Sequence, residues 1–357
     1  MTSTGYDTAS DISPNSLVSI IILNYNAGEL LLDCVDSIYN SNYKHFEIIV
    51  VDNVSHDNSH KKCKEKFPNI TVIENSENLG YCEGNNVGLK KAQGDFVAVL
   101  NPDTLVEPNW LNELLDAYQK NGSGFYQPKF LAITDHSMLL STGNMIQIFG
   151  FGFSRSKGNR DTLKYEKLEQ IDYASGTCLF TSRSIIEKIG FFEPFLFAFH
   201  DDLELCWRGA ISGINSFYVP KSIVYHPIEG YSFKWNPIKF KLMERNRKYC
   251  LLTIYNRSTI LKMLPALLLV DLSVFIFYLS RGLGKAKISA DLEIFKNLKT
   301  INRKYLQNQK IKNVSDHDLI KQFKNEIIVP SWVINKHKND YLNKFLIFLA
   351  KITRKII

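Results

Sequence analysis

The stretch "FAFHDDLELCWRG", Phe197 to Gly209, holds three acids, Asp201, Asp202 and Glu204. They stand behind an aromatic run of Phe191, Phe192, Phe195, Phe197 and Phe199. One reading is a helix start. Acids in a first turn complement the helix dipole, and Leu203, Leu205, Cys206 and Ile211 supply a buried face. The other is a carboxylate held in a partly dry pocket, where it can act as a general base. On this stretch alone the helix start is favoured, because acids are common there.

A second set of reactive residues follows apolar runs. Asn24-Tyr25-Asn26 comes after "LVSIIIL", and Asp52-Asn53-Val54-Ser55 ends and follows "FEIIVVD". Asn101-Pro102-Asp103 follows "DFVAVL"; Glu74-Asn75 closes "ITVIE", and Asn78-Leu79-Gly80 leads into the next helix. Together these residue types suit a nucleotide. An aromatic ring can stack on a base, an Asp and amides can bind base edge and ribose, and a further Asp can hold a divalent cation on a diphosphate. Singly, each is also an ordinary turn residue. His226 closes the apolar run "INSFYVPKSIVYH". A lone His there is usually structural.

The elements that must position these residues are legible from hydrophobic spacing. "LVSIIIL" and "FEIIVVD" are continuous apolar, β-branched runs, expected as strands buried on both faces. "GELLLDCVDSIYNS" has helical spacing, "SHDNSHKKCKEKF" is a polar helix, and "YCEGNNVGLKKAQG" is a helix closed by Gly94. Strand and helix alternate, so the expected fold is α/β, a mostly parallel sheet with helices on both faces. Ligands bind at the carboxyl ends of such strands, where the polar residues sit. No GxGxxG or GxxxxGK[ST] is present, which disfavours dinucleotide and P-loop folds.

In order along the chain, "VSIIILNYNAGELLLDCVDSI", "IIVVDNVSHDNS", "ENLGYCEGNNVGL", "GDFVAVLNPDTLVEPNWL", "SGTCLFTSRSIIEKIGFFEPFLFAFHDDLELCWR" and "VYHPIEGYS" resemble family 2 glycosyltransferases, in particular the rhamnosyltransferase-like branch. The resemblance runs from Val18 to Ser232. It implies a GT-A (Rossmann-like) fold, a nucleotide-sugar donor (UDP-, dTDP- or GDP-sugar), a divalent cation (Mg2+ or Mn2+) and inversion at the sugar carbon. By position it implies that Asn24, Tyr25, Asn26, Asp52 and Asn53 line base and ribose. Asn78, Gly80, Asn85, Asn86 and Asn101 would flank the donor, and Gly176, Trp207 and Arg208 the acceptor. Asp103 stands where the family's DxD acid holds the metal, and His226 where a site His reaches metal or diphosphate. Asp202, beside Asp201, stands where the acid of the ED pair acts as base. Two departures stand out: DxD is reduced to Asn101-Pro102-Asp103, and the ED pair is Asp201-Asp202.

The 357 residues are 45% hydrophobic and 22% charged, which is globular rather than disordered. The formal charge is +7, and the excess gathers behind Tyr231. The six cysteines show no CxxC pair or finger spacing, so reduced thiols in a cytosolic setting are expected. Residues 1–16 are expected as a disordered lead-in, 17–235 as the glycosyltransferase domain and 236–357 as a helical, basic, membrane-associated region. Within the last, Leu264 to Leu279 is strongly apolar but short for a span, and Asp271 at its middle would cost about 2.5 to 3.5 kcal/mol in a bilayer core. "YLNKFLIFLAKITRKII" joins apolar and basic residues without an acid, which suits a helix lying on an anionic membrane surface. The alternative is a terminal helix packed on the enzyme's own core.

These features point to a single-sugar transferase on the cytoplasmic face of the cell membrane, acting on a lipid-linked or glycan acceptor. A polyprenyl-phosphate sugar synthase is disfavoured, because a phosphate acceptor needs no general base such as Asp202. No QxxRW motif supports a processive synthase. A catalytically dead binding module is separated by nucleotide-sugar turnover. Nucleic acid is not the expected partner, since the rear cations interleave with long aliphatic runs.

Overall fold

A computed structural model describes residues 16–229, 236–328 and 336–357, the side chains of 336–340 excepted. Residues 1–15 of the lead-in and the Gly230 to Ser232 part of the last family motif lie outside the described residues. The chain divides into two compact units: Met1–Asn144, Ser154–Phe197 and Ile214–Phe233 form the first, and Met145–Phe153, Ala198–Gly213 and Lys234–Ile357 the second.

The first unit opens with strand, helix, strand, helix: β1 (Val18–Asn24), α1 (Glu29–Tyr39), β2 (Phe46–Asp52), α2 (Ser59–Lys66), β3 (Thr71–Glu74), α3 (Gly80–Leu89) and β4 (Phe96–Leu100). A short β5 (Leu105–Val106), α4 (Trp110–Asn121), β6 (Gly124–Ala132) and β7 (Asp135–Ser141) follow. The hairpin β8 (Asn144–Gln147) and β9 (Phe151–Ser154) forms a separate two-stranded sheet. Then come β10 (Glu169–Ile171), β11 (Cys178–Ser182) and α5 (Arg183–Ile189). Helix α6 (Asp201–Ile211) belongs to the second unit, and β12 (Asn215–His226) returns to the first.

The main sheet has the order β10-β12-β6-β11-β4-β1-β2-β3, with β5 on β12 and β7 on β6. Its half from β4 to β3 is parallel, as the alternating pattern required. Strand β11 enters antiparallel to β4, making the whole sheet mixed. Val18, Ile20, Ile21 and Ile22 are all fully buried, because helices cover both faces. Ile20, Ile22, Val50 and Ala98 pack in one core with Leu31, Cys34, Val35 and Ile38 of α1 and Trp110, Leu111 and Leu114 of α4. Each such side chain is worth roughly 1.5–3 kcal/mol. The opposite face carries α3, which lies unusually close. A Cβ on Gly84 would come within 2.4 Å of Leu23, and one on Gly88 within 2.5 Å of Ile21. Only glycine at this spacing lets the helix backbone rest on the strands.

The second unit is helical: α6, then α7 (Pro237–Ile254), α8 (Arg257–Ser280), α9 (Gly284–Lys296), α10 (Leu298–Ile311), α11 (Asp316–Gln322) and α12 (Lys336–Ile356). The apolar segment at 264–279 is the greater part of α8, a 24-residue helix long and apolar enough to cross a membrane. Thr259, Met263, Ala266, Val270 and Tyr278 form its buried stripe. Leu261, Leu264, Leu268, Leu272, Ile276 and Leu279 form an exposed one. Asp271 is not a lone charge. Its carboxylate lies 2.6 Å from Lys248 and 2.8 Å from Lys287, and Lys287 also reaches Asp291 and Glu244. Glu244, Asp271 and Asp291 bring their oxygens within 4.8 Å of one another, and the two ammonium groups occupy the place a metal would take.

Candidate active site

Parallel register builds the first part of the site. Asn24 pairs with Asp52 and Asp52 with Glu74, so the strand ends stand in a row. Asn24 donates to Asp52 Oδ1 at 2.7 Å, and to the hydroxyls of Ser55 at 3.0 Å and Ser59 at 2.8 Å. The Ser55 amide donates to Asp52 Oδ2 at 2.9 Å. Asp52 is thus buried with both oxygens held. The ring of His60, also buried, stands between Asp52 at 3.1 Å and Glu74 at 3.7 Å. Sequence reasoning passed over His60. It sits in a polar helix, and nothing in its spacing marks it.

Asn53 accepts from Asn75 at 2.8 Å and donates to the Gly80 carbonyl at 3.1 Å. Asn78 accepts from the Gly80 amide at 2.9 Å and closes the turn into α3. Asn85 donates to the Tyr81 carbonyl, and Asn86 to Glu83 and the Phe192 carbonyl. The side-chain carbonyls of Asn24, Asn85 and Asn86 are buried with no hydrogen bond among the described residues. Tyr25 is 43% exposed, so its ring face is open to a planar ligand. Asn26 and Val54 hold positive φ. For a β-branched Val that is a strained conformation of the kind that clusters at ligand sites.

Antiparallel pairing brings in the last two residues. Tyr225 lies opposite Leu105, so the register carried one residue on sets His226 against Thr104, next to Asp103. His226 Nε2 lies 3.4 Å from the buried Asp103 Oδ1. A carboxylate oxygen and an imidazole nitrogen together suit a divalent transition cation such as Mn2+. The Asn101 amide donates to the Thr177 carbonyl, and Tyr81 donates to the Gly176 carbonyl at 2.6 Å.

Asp201 and Asp202 open α6 in the second unit. Just ahead of them Phe199 and His200 adopt left-handed backbone, as does Phe197 at the end of the preceding segment. Each costs about 1–2 kcal/mol for a residue with a Cβ. Asn246 of α7 holds the turn by donating to the carbonyls of Ala198 at 2.9 Å and Phe199 at 2.7 Å. It is fully buried and was not singled out in the sequence, where it sits inside a basic run. Burial, then the nearby Arg247 guanidinium, pushes the His200 imidazole down to about 4. Burial, then the charge on Asp202, raises Asp201 well above the usual carboxylate range. Asp202 is the more exposed of the two.

Glu204, the third acid of the stretch, is buried and paired with Arg208 at 2.8 Å, one turn on. Arg208 and Trp207, expected beside the acceptor, are 1% and 0% exposed. Trp207 packs edge-on against Tyr255 and Phe323. Neither offers surface to an acceptor, because this face of α6 anchors it in the helical core.

The family described as glycosyl transferase family 2 matches residues 19–190. The chain carries a family 2 glycosyltransferase domain. Similar to it is a low-salt glycan biosynthesis hexosyltransferase of Haloferax volcanii, 26% identical over 71% of this chain and 82% of that protein. An N-acetylglucosaminyl-diphospho-decaprenol L-rhamnosyltransferase of Mycobacterium tuberculosis is 26% identical over 59% of this chain and 76% of that one. A crystal structure of GalNAc-T7 with UDP, GalNAc and Mn2+ superposes with a TM-score of 0.56 at 16% identity, over 68% of this chain and 48% of that chain. This likeness carries the fold, a GT-A glycosyltransferase fold, and the family 2 domain makes the chain a glycosyltransferase.

Proposed function

We propose that this glycosyltransferase moves one sugar, with inversion, from a nucleotide-sugar to a hydroxyl of a lipid-linked or cell-envelope glycan acceptor. The observation that carries the donor side is the meeting of Asp103 and His226 at one end of the sheet that also holds the Asn24–Asp52 cluster. Asp52, Asn24 and Asn53 bind base edge and ribose, and Tyr25 stacks on the base. Asp103 and His226 hold a divalent cation, which when bound offsets charge gathering on the departing diphosphate.

Asp202 is the general base. The acceptor oxygen forms a bond to the sugar's anomeric carbon, while the bond from that carbon to the diphosphate oxygen breaks and its electron pair leaves with the diphosphate. The acceptor proton passes to a carboxylate oxygen of Asp202. The raised Asp201 supports this choice. Burial and its neighbour's charge keep the proton on Asp201, which leaves Asp202, the more accessible of the two, to take the acceptor's proton. The lipid-linked acceptor draws on the mycobacterial relative, whose name specifies a decaprenol-linked substrate. The exposed apolar stripe of α8 and the basic tail support docking of the helical unit on the cytoplasmic membrane face, where nucleotide sugars are available.

The test is turnover of UDP-, dTDP- and GDP-sugars by Asp202→Asn. Its kcat should fall about 10²–10⁴-fold with donor binding nearly unchanged. A crippled Asp201→Asn beside an active Asp202→Asn would reverse the assignment.

A further inference from the structure

A groove of ≈ 340 Å³ runs within the second unit between α7, α8 and α10. Its walls are mainly aliphatic, from Leu252, Ile260, Leu261, Leu298 and Ile301, and Tyr255, Asn302 and Tyr305 complete them. One cation stands in it. The Arg257 guanidinium lies 4.9 Å over the Tyr305 ring and donates to Asn302. Arg257 is exposed and forms no ion pair among the described residues. The groove is therefore an apolar slot with a fixed, unneutralised positive charge at one side.

Two further observations choose its occupant. Leu261 belongs both to the groove and to the exposed stripe of α8, which continues through Leu264, Leu268, Leu272 and Ile276. The slot is thus continuous with the apolar face assigned to the membrane. The exposed charges around it are cationic, and the acid held at the start of α8, Asp316, is buried and paired with Lys312. Lys262, Lys299 and Arg303 are exposed nearby. No acid occurs from Lys296 to Lys312, nor between Arg257 and Asp271. The volume is at the small end of ligand cavities, about 300–1,000 Å³. A partner helix, about 10 Å across with its side chains, needs a wider channel.

We propose that this groove takes one hydrocarbon chain of an anionic membrane phospholipid, whose phosphate pairs with Arg257. The inference rests on the membrane docking argued above and adds a discrete lipid site to it. Such a site would fix the depth and rotation of the helical unit at the bilayer surface. A diffuse apolar stripe cannot do that.

The experiment uses the full chain and phosphatidylcholine vesicles with and without phosphatidylglycerol, doped with a phosphatidylglycerol bearing a photoactivatable group on one acyl chain. Crosslinks should map to the peptides holding Leu252, Leu261 and Ile301. Arg257→Gln should lower their yield about fivefold, the effect expected of one basic residue at an anionic surface. Leu261→Trp, at a position 68% exposed, should block the slot and abolish the crosslink while sedimentation with vesicles persists. Donor hydrolysis should stay at the wild-type rate in both variants, which reports that they fold. Vesicle binding with crosslinks spread evenly along Leu264 to Leu279, unmoved by either variant, overturns the groove and leaves docking standing. Displacement of the probe by a polyprenyl diphosphate but not by excess phosphatidylglycerol overturns it in favour of the acceptor's carrier. No vesicle binding at all removes docking and groove together.

Discussion

At the scale of single residues, the chemistry depends on pairs whose members differ. In the proposed donor site Asp103 and His226 share a cation, and only Asp103 brings a negative charge. Asp103→Ala should therefore abolish the extra thermal stabilisation that Mn2+ adds to nucleotide-sugar binding, and His226→Ala should reduce it. Equal stabilisation with and without chelator in the parent enzyme would take the metal out of the proposal. Asp201 makes a prediction about pH. Its carboxyl is raised in the folded state. Its contribution to stability is thus full below the ordinary carboxylate value of about 3.9, and is lost as pH rises through the raised folded value. Asp201→Asn should flatten that alkaline loss when melting temperature is followed against pH. His200 works oppositely: held down to about 4, it costs stability as pH falls from about 6.5 towards that value. Between about pH 4 and 6.5 the two trends oppose each other, so the parent should lose stability mainly above that range, and Asp201→Asn should keep only the loss on the acid side.

At the scale of elements, α8 shows how an acid survives inside an apolar helix. From the chain alone Asp271 counted against burial in lipid. Its partners lie 16 and 23 positions away in sequence, on α9 and α7, and no local pattern announces them. Lys287 is the centre of the network and is 1% exposed on its side chain. Lys287→Met should destabilise the protein by about 3–5 kcal/mol, because Glu244, Asp271 and Asp291 would then face one another with less compensation. Urea denaturation measures this, and a loss below about 1 kcal/mol would show that Lys248 and Arg247 suffice. Helix α12 likewise resolves into two faces. Leu346, Leu349, Ala350 and Thr353 are buried, while Phe348, Ile352, Lys351 and Lys355 are exposed. The packed-helix alternative describes the buried face, and the exposed apolar and basic face is the one the membrane proposal uses.

At the scale of the whole molecule, the proposal gives donor binding to the sheet and membrane docking to the helical unit. Deleting the tail would damage packing, so an exposed substitution is the cleaner probe. Phe348→Glu should lower sedimentation with anionic vesicles severalfold and slow transfer to a lipid-linked acceptor, with donor hydrolysis unchanged. Raising salt should weaken vesicle binding of the parent in the same assay, since part of the attraction is electrostatic and screened within about 10 Å at 0.1 M. Binding indifferent to both salt and Phe348→Glu would mean that neither the basic nor the apolar side of the tail meets the membrane.

Sequence by itself determined the parallel half of the sheet. Runs such as Ile20-Ile21-Ile22 are apolar on both faces, and only a strand covered twice by helices buries both. It also placed Asn24, Asp52 and Asp103 at one end of that sheet, because turn residues must follow each strand at the same edge. Tertiary structure decided the rest. Strand β12's pairing with β5 set His226 beside Asp103 across more than a hundred residues, and register across such a gap is written in no local pattern. His60, close to Asp52 in sequence, is turned onto it by the way α2 packs, and Asn246 holds the turn before the acid pair from α7; neither is marked by a local pattern. Trp207 and Arg208 were expected beside an acceptor from their positions in the family motif. Their place on the inner face of α6, against Tyr255, Phe323 and Glu204, followed from helices far along the chain. Burial belongs to the assembled core, and a residue's type states only what it could do if exposed.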